Sequence, residues 1–101
     1  MACYEKGLSG VGSDHQYTNS IGEGWSCFDL GLAVENLCLS AYDKGLGTLI
    51  MGMRDEQAIQ TLLNIPEQYE VVALIALGHP DMDPPMPARK KVEEVTVFLD
   101  K

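Results

Sequence analysis

The sequence predicts a domain of mixed helix and strand, with one long helix, one short helix and about three strands. Three observations predict it. Residues 25–44 carry apolar side chains at helical spacing along their whole length. Tyr69–Gly78, YEVVALIALG, is a nearly unbroken apolar run bounded by turn-forming residues. Shorter apolar stretches, MACYEK and TLIMGM, sit on either side of the long helix.

In chain order, MACYEK reads as a strand. Residues 7–24, GLSGVGSDHQYTNSIGEG, are rich in Gly, Ser and Asn and read as a long loop. A loop of that length in a small domain is functional or mobile. WSCFDLGLAVENLCLSAYDKG follows. Ser26 is its expected N-cap, with Asp29 three residues on and suited to the positive end of the helix dipole. Lys44 in the last turn and Gly45 just beyond it signal the C-terminus. One stripe of this helix runs Trp25, Phe28, Leu32, Leu39 and Tyr42, and another runs Leu30, Val34, Leu37 and Ala41. A helix apolar on both flanks must be covered on both, and a chain this short has little material to do so. The sequence therefore predicts a second chain, or a further part of the fold, against this helix.

TLIMGM reads as a short extended stretch. RDEQAIQTLLNIP reads as a second helix, capped by Asp55 and ended by Asn64 and Pro66. YEVVALIALG reads as a strand covered on both faces. Residues 79–88, HPDMDPPMPA, form a proline-rich connector that cannot enter a sheet interior. RKKVEEVTVFLDK closes the chain as a basic cluster followed by a short strand or helical turn.

Composition narrows the function classes. The 101 residues are 46% apolar, which suits a folded domain rather than a disordered tail. A formal net charge of -8 argues against nucleic-acid binding and against a polybasic membrane surface. No apolar run reaches the roughly 18 residues of a membrane span, and Met1 does not open a signal peptide, so a cytoplasmic location is expected. Cys3, Cys27 and Cys38, with His15 and His79, lack metal-ligand spacing, and no metal is expected. No Ser-His-Asp or Cys-His nucleophile arrangement is visible, and Asp29 and Glu35, six apart, do not share a helix face, so no catalytic side chain is nominated.

The order of these pieces carries a resemblance. Trp25 and Asp29 open a helix, AVENLCLSAYDKGLGT runs along it, LIMG follows, then LNIPEQYEVVALIALGHP and PARKKVEEV. This pattern resembles the C-terminal half of the FMN-dependent nitroreductase family, from Trp25 onward, with MACYEKG matching the strand before the helix. The resemblance implies a three-layer α+β fold, a mixed sheet packed with helices, of which residues 1–101 would be the C-terminal half. It implies an intertwined homodimer with the long helix in the interface and FMN at that interface. Reducing equivalents would pass from NAD(P)H through the flavin to nitroaromatics, quinones or similar small acceptors.

The resemblance also nominates residues. Leu49, Ile50, Met51 and Gly52 would run along the isoalloxazine ring, with apolar side chains against the ring and backbone N–H groups toward its N5 and O4 edge. By pattern alone the same stretch reads as a glycine-capped helix end followed by a core strand. Arg89 matches the family's phosphate-binding arginine, and its planar fork suits a phosphate. Pro87 stands where the family often has lysine, and Lys90 is the candidate to replace it. By pattern alone Arg89, Lys90 and Lys91 read as a solvated patch. His79 falls at a structural position before proline, and His15 on the surface loop.

The family's N-terminal half, with further phosphate-gripping arginines, is not in this sequence. The chain is thus expected to be a fragment or a shortened relative. Two functions follow: the flavin-edge and dimerisation half of an FMN oxidoreductase, or a non-catalytic, self-associating module that binds FMN weakly or not at all.

Overall fold

The computed structural model describes residues 1–99. Asp100 and Lys101, the last two positions of the closing basic segment, lie outside the described residues. The elements run β1 (Ala2–Glu5), α1 (Gly24–Asp43), β2 (Gly47–Met51), α2 (Glu56–Leu63), β3 (Tyr69–Gly78) and α3 (Val92–Val95). The three strands form one sheet in the order β1-β3-β2. Both pairings are antiparallel: Cys3 lies opposite Val71 on one side of β3, and Met51 opposite Leu74 on the other. The fold is α+β, as the sequence implies, and β3 is its central strand.

α1 packs on the sheet against β1 and β2. The face it turns inward is Ser26, Leu30, Val34, Cys38 and Ala41, spaced three and four apart, each buried or half-buried. The opposite stripe, Phe28, Leu32, Leu39 and Tyr42, is exposed, with Tyr42 82% accessible. Of the two predicted stripes this chain covers Leu30, Val34 and Ala41 but leaves Leu37 42% exposed, and on the uncovered stripe Trp25 alone is half-buried. The fully to nearly buried apolar residues are Ala2, Ala41, Val71 and Ala73. Three alanines and a valine are a very small core. The radius of gyration, 17.5 Å, exceeds the roughly 13 Å of a compact domain of about 100 residues.

The start of α1 differs from expectation. The helix begins at Gly24, with Glu23 at the N-cap position, and Ser26 is not the cap. Tight turns wind into the helix: the amides of Gly22, Gly24, Trp25 and Ser26 donate to the carbonyls of Asn19, Ile21, Gly22 and Glu23. These bonds satisfy amides that a cap would otherwise serve. Ser26, 3% exposed, instead donates from Oγ to Glu23 Oε1 at 2.9 Å. The C-terminus follows its signal. Gly45, at φ 71°, donates to the Tyr42 carbonyl, and Leu46 donates to that of Ala41, a Schellman motif that turns the chain into β2.

α2 is capped as predicted. Asp55 Oδ1 accepts from the Ala58 amide at 3.0 Å, and Asn64 ends the helix at φ 52°. β3 departs from its reading in one respect. Val71 and Ala73 are buried, but Val72 and Leu74 on its other face are half-exposed, and residues 76–78 are exposed. α1 covers one face of the sheet, so an unbroken apolar strand meets cover on one side within this chain. Residues 79–91 carry no helix or strand, as the proline-rich connector predicts, and the closing segment forms the single turn α3.

The predicted loop ends one residue earlier than expected, at Glu23, and it is built rather than loose. Val11 bridges Tyr17, and a turn through His15, at φ 60°, closes a small hairpin. Trp25 Nε1 donates to Asn19 Oδ1 at 3.0 Å, and Ser9 Oγ donates to Asp29 Oδ2 at 2.5 Å. Both bonds tie the loop to the first turns of α1.

Candidate functional site

The Schellman turn after α1 delivers β2 to the edge of the sheet. One side of β2 pairs with β3, and among the described residues no strand pairs with its other side. Alternate N–H and C=O groups of β2 therefore face outward without a strand partner. Leu49 and Ile50 project to opposite faces and are 61% and 53% exposed. Met51 is half-buried, and Gly52 follows directly, exposed.

Gly52 is informative because nothing within the chain demands it. Its φ is not among the positive values, and a Cβ built there meets nothing within 4 Å. Gly45 is required by its left-handed conformation, and Gly47 by Pro80, whose Cβ would lie 3.2 Å from a Cβ on it. Gly52, like Gly31 and Gly78, leaves open space where a Cβ would stand, and so permits close approach of a ligand to its backbone.

Beside the start of β2 lies an open, mainly apolar groove of about 770 Å³. Tyr42, Leu46, Leu49, Leu77, Pro80 and Met82 contribute to its walls, so the connector 79–84 folds back alongside β2. A second recess, of about 600 Å³, is lined by Lys6, Gln57, Gln60 and the carboxylates Glu56, Glu67 and Glu70. Three carboxylates with one lysine, itself paired to Glu70 at 3.4 Å, repel a phosphate. The β2 edge is the better candidate for a flat, partly apolar, anionic ligand.

The basic cluster makes its hydrogen bonds locally. Arg89 and Lys90 are exposed. Arg89 Nη1 donates to the Pro87 carbonyl at 3.3 Å. The Lys91 amide donates to Glu94 Oε2 at 2.8 Å, fixing the start of α3. Among the described residues, no hydrogen bond or ion pair joins Arg89 or Lys90 to residues 49–52. Leu49, Ile50, Met51 and Gly52 are thus brought together on one edge, and a ligand touching both groups would itself bridge them.

Sequence reasoning missed Arg54 and Glu23. Arg54 Nε donates to the Val71 carbonyl at 2.8 Å and Nη1 to the Gly52 carbonyl at 3.1 Å. Val71 lies across the sheet, where only the strand register reveals it, whereas Gly52 is two residues back along the same segment. Glu23 accepts from the Tyr17 hydroxyl, the Ser26 hydroxyl and the Gly7 amide. The Tyr17 bond is the largest cause holding its carboxyl below the usual glutamate value, and the same bond raises Tyr17. An acidic residue in a Ser/Gly-rich loop just before a helix was the available signal for Glu23.

Among the described residues no cluster of three or more His, Cys, Asp or Glu side chains is placed to hold a metal ion. Nor is any described helix long and apolar enough to cross a membrane.

Comparison with known proteins places this architecture. Residues 11–79 match the nitroreductase family, and the chain belongs to that family. It is 38% identical over 63 residues to an NADPH-flavin oxidoreductase of Vibrio harveyi, an alignment covering 60% of this chain and 26% of that protein. Among solved structures, a nitroreductase family protein from Streptococcus pneumoniae TIGR4 superposes with a TM-score of 0.72 at 24% identity, covering 80% of this chain and 42% of that one. The nitroreductase-type protein ydfN of Bacillus subtilis superposes with a TM-score of 0.71 at 30% identity, covering 77% of this chain and 41% of that one. The chain thus spans about a quarter of the length of the curated relative and about two fifths of these solved neighbours.

Proposed function

We propose that this chain supplies the flavin-edge part of an FMN-dependent oxidoreductase of the nitroreductase type. That protein would pass reducing equivalents from NAD(P)H to nitroaromatic, quinone or similar small acceptors, and we place it in the cytoplasm. The observation that carries the proposal is the open β2 edge ending at Gly52, where glycine serves neither conformation nor internal packing.

The residues present fit a flavin. Leu49, Ile50 and Met51 offer apolar surface to a ring, and Gly52 leaves its backbone approachable. Outward N–H groups of an edge strand suit the polar rim of the ring. Arg89 and Lys90 would hold the phosphate, since both are exposed and Arg89 keeps most of its donors for a ligand. Bound FMN supplies the hydride and electron transfer, and the chain's share is to orient the ring and tune its electronics through backbone hydrogen bonds. This agrees with a site that offers no nucleophile and no paired acids.

The exposed stripe of Phe28, Leu32, Leu39 and Tyr42 supports assembly with a second copy or with an N-terminal half of the fold. The same stripe, with the very small core, favours the second reading, a non-catalytic self-associating module that binds FMN weakly or not at all.

Gel filtration of the purified chain after incubation with FMN, read by light scattering and by flavin absorbance near about 450 nm, tests both readings. Co-elution of flavin with a dimer or larger species supports the oxidoreductase reading. A dimer that elutes colourless supports the module. A stable monomer without flavin removes the module, and the oxidoreductase reading falls if flavin is also absent when an N-terminal half of the fold is supplied.

A further inference from the structure

Arg54 sits between the end of β2 and the start of α2, and its side chain is 23% exposed. Its guanidinium has three partners. Nε donates to the Val71 carbonyl at 2.8 Å, Nη1 donates to the Gly52 carbonyl at 3.1 Å, and Nη2 lies 3.7 Å from the Glu56 carboxylate.

The strand register explains the first bond. β2 pairs with β3 as far as Met51 opposite Leu74. Continuing that antiparallel register three residues further brings Arg54 opposite Val71. The backbone ladder has already stopped there, because the chain leaves the sheet at Gly52. The Arg54 side chain therefore donates to a carbonyl that an extended β2 would have faced. Val71 is 0% exposed and lies in the central strand. The second bond carries that anchorage to Gly52. One planar group thus ties the backbone just past the sheet edge to the middle of the sheet, while Glu56 balances its charge.

We infer that Arg54 is a positioning residue: its guanidinium clamps the Gly52 carbonyl to Val71 and so fixes the backbone that meets the flavin ring. The inference rests on the β2 edge being the flavin site. A lysine cannot replace the clamp, because one ammonium on a flexible stem lacks the planar fork that reaches both carbonyls. Arg54 acts on the ring-facing backbone and not on the phosphate, so its loss weakens ligands with and without phosphate alike.

The test uses the full chain with Arg54→Ala and Arg54→Lys, and two readouts. Without flavin, carbonyl carbon NMR shifts of Gly52 and Val71 report the clamp, and both move upfield in each variant while circular dichroism keeps its helical signal. With flavin, FMN and riboflavin titrations are compared. Each variant weakens both ligands by a similar factor of about ten, the scale of one misplaced hydrogen bond. Guanidinium ion at low millimolar concentration restores part of that loss to Arg54→Ala. If the carbonyl shifts stay put, there is no clamp. If they move while flavin binding is unchanged, Arg54 shapes the fold but not the site. If Arg54→Lys binds like wild type, charge rather than the fork is what matters, and the inference falls. If the wild-type chain binds neither flavin while the shifts behave as expected, the flavin-site reading has failed and takes the positioning role with it, leaving the clamp as a structural device.

Discussion

Gly10 and Trp25 pack as one unit: a Cβ on Gly10 would stand 2.4 Å from Cδ1 of the Trp25 indole and 2.8 Å from its Cγ. Gly10 also holds φ at 71°, and its carbonyl accepts from the amide and the hydroxyl of Thr18. The indole in turn donates to Asn19. The loop before α1 is therefore seated on the first turn of the helix through a glycine that admits a large ring.

Gly10→Ala should destabilise the chain through two separable effects. Overpacking against the indole costs about 1–3 kcal/mol, and the left-handed conformation adds roughly 1–2 kcal/mol for any residue with a Cβ. Gly7 isolates the second effect, since it holds φ at 72° and a Cβ on it would meet nothing within 4 Å. Urea unfolding should shift more for Gly10→Ala than for Gly7→Ala. Equal shifts would mean that Trp25 moves aside freely and does not seat the loop.

The same region shows what the sequence could and could not reveal. The ends of α1 and α2 that rest on local chemistry were legible: Lys44-Gly45 announces a left-handed stop, Asp55 a cap, and Asn64 a second stop. The start of α1 was not, because the amides are satisfied by turns from Asn19 onward, and Ser26 falls on the face buried against the sheet. β3 was legible as a strand from its apolar run, yet cover on both faces was not, because within this chain only one face of the strand is buried. In the candidate site, Leu49 to Gly52 are nominated by the family resemblance, since their pattern alone reads as a helix end followed by a core strand. Arg54 could not be nominated, since its bond to Val71 depends on an antiparallel register that no local pattern encodes.

Tyr4 gives the chain a pH dependence. Burial is the first cause pushing its phenol up to about 12, followed by the charge of Glu70 and by Cys27 and Glu23. The folded chain thus keeps this proton when the unfolded chain, near the ordinary value of 10.0, has lost it. The stability linked to Tyr4 is complete below about pH 10 and is lost as pH rises toward about 12. Ionisation of Tyr4 in the fold is what alkali must force, so Tyr4→Phe should move alkaline unfolding to higher pH. It should also remove a late step from the tyrosinate absorbance titration. A late step that persists in Tyr4→Phe would assign it to another tyrosine.

Arg89 offers a chemical discrimination within the flavin proposal. FMN and riboflavin differ by the phosphate, and a charge-assisted bond to phosphate is worth about 1.5–3 kcal/mol. Arg89→Ala should weaken FMN by roughly 10-fold to 150-fold and leave riboflavin nearly unchanged. The fold should not notice, because among the described residues the only hydrogen bond from this exposed side chain reaches Pro87, two residues away. Parallel titrations by flavin fluorescence decide the matter. Equal weakening of both ligands, or of neither, would take Arg89 out of the phosphate site.

Gly52 separates the demands of the fold from those of a ligand. A Cβ there meets nothing within 4 Å in this chain, so Gly52→Val should leave α1 and the sheet intact, with stability changed by about 0.5 kcal/mol or less, as for most surface substitutions. Met51→Leu keeps apolar volume at a half-buried position and should cost under about 1.5 kcal/mol. The flavin response should differ sharply between the two. Met51→Leu leaves apolar surface for the ring and should bind FMN nearly as wild type does. Gly52→Val places a branched side chain where the ring must approach the backbone and should abolish binding. Circular dichroism and flavin fluorescence on the same samples read both effects. Normal FMN binding by Gly52→Val would make this glycine a simple connector between β2 and α2 and would move the flavin away from the Leu49–Gly52 edge.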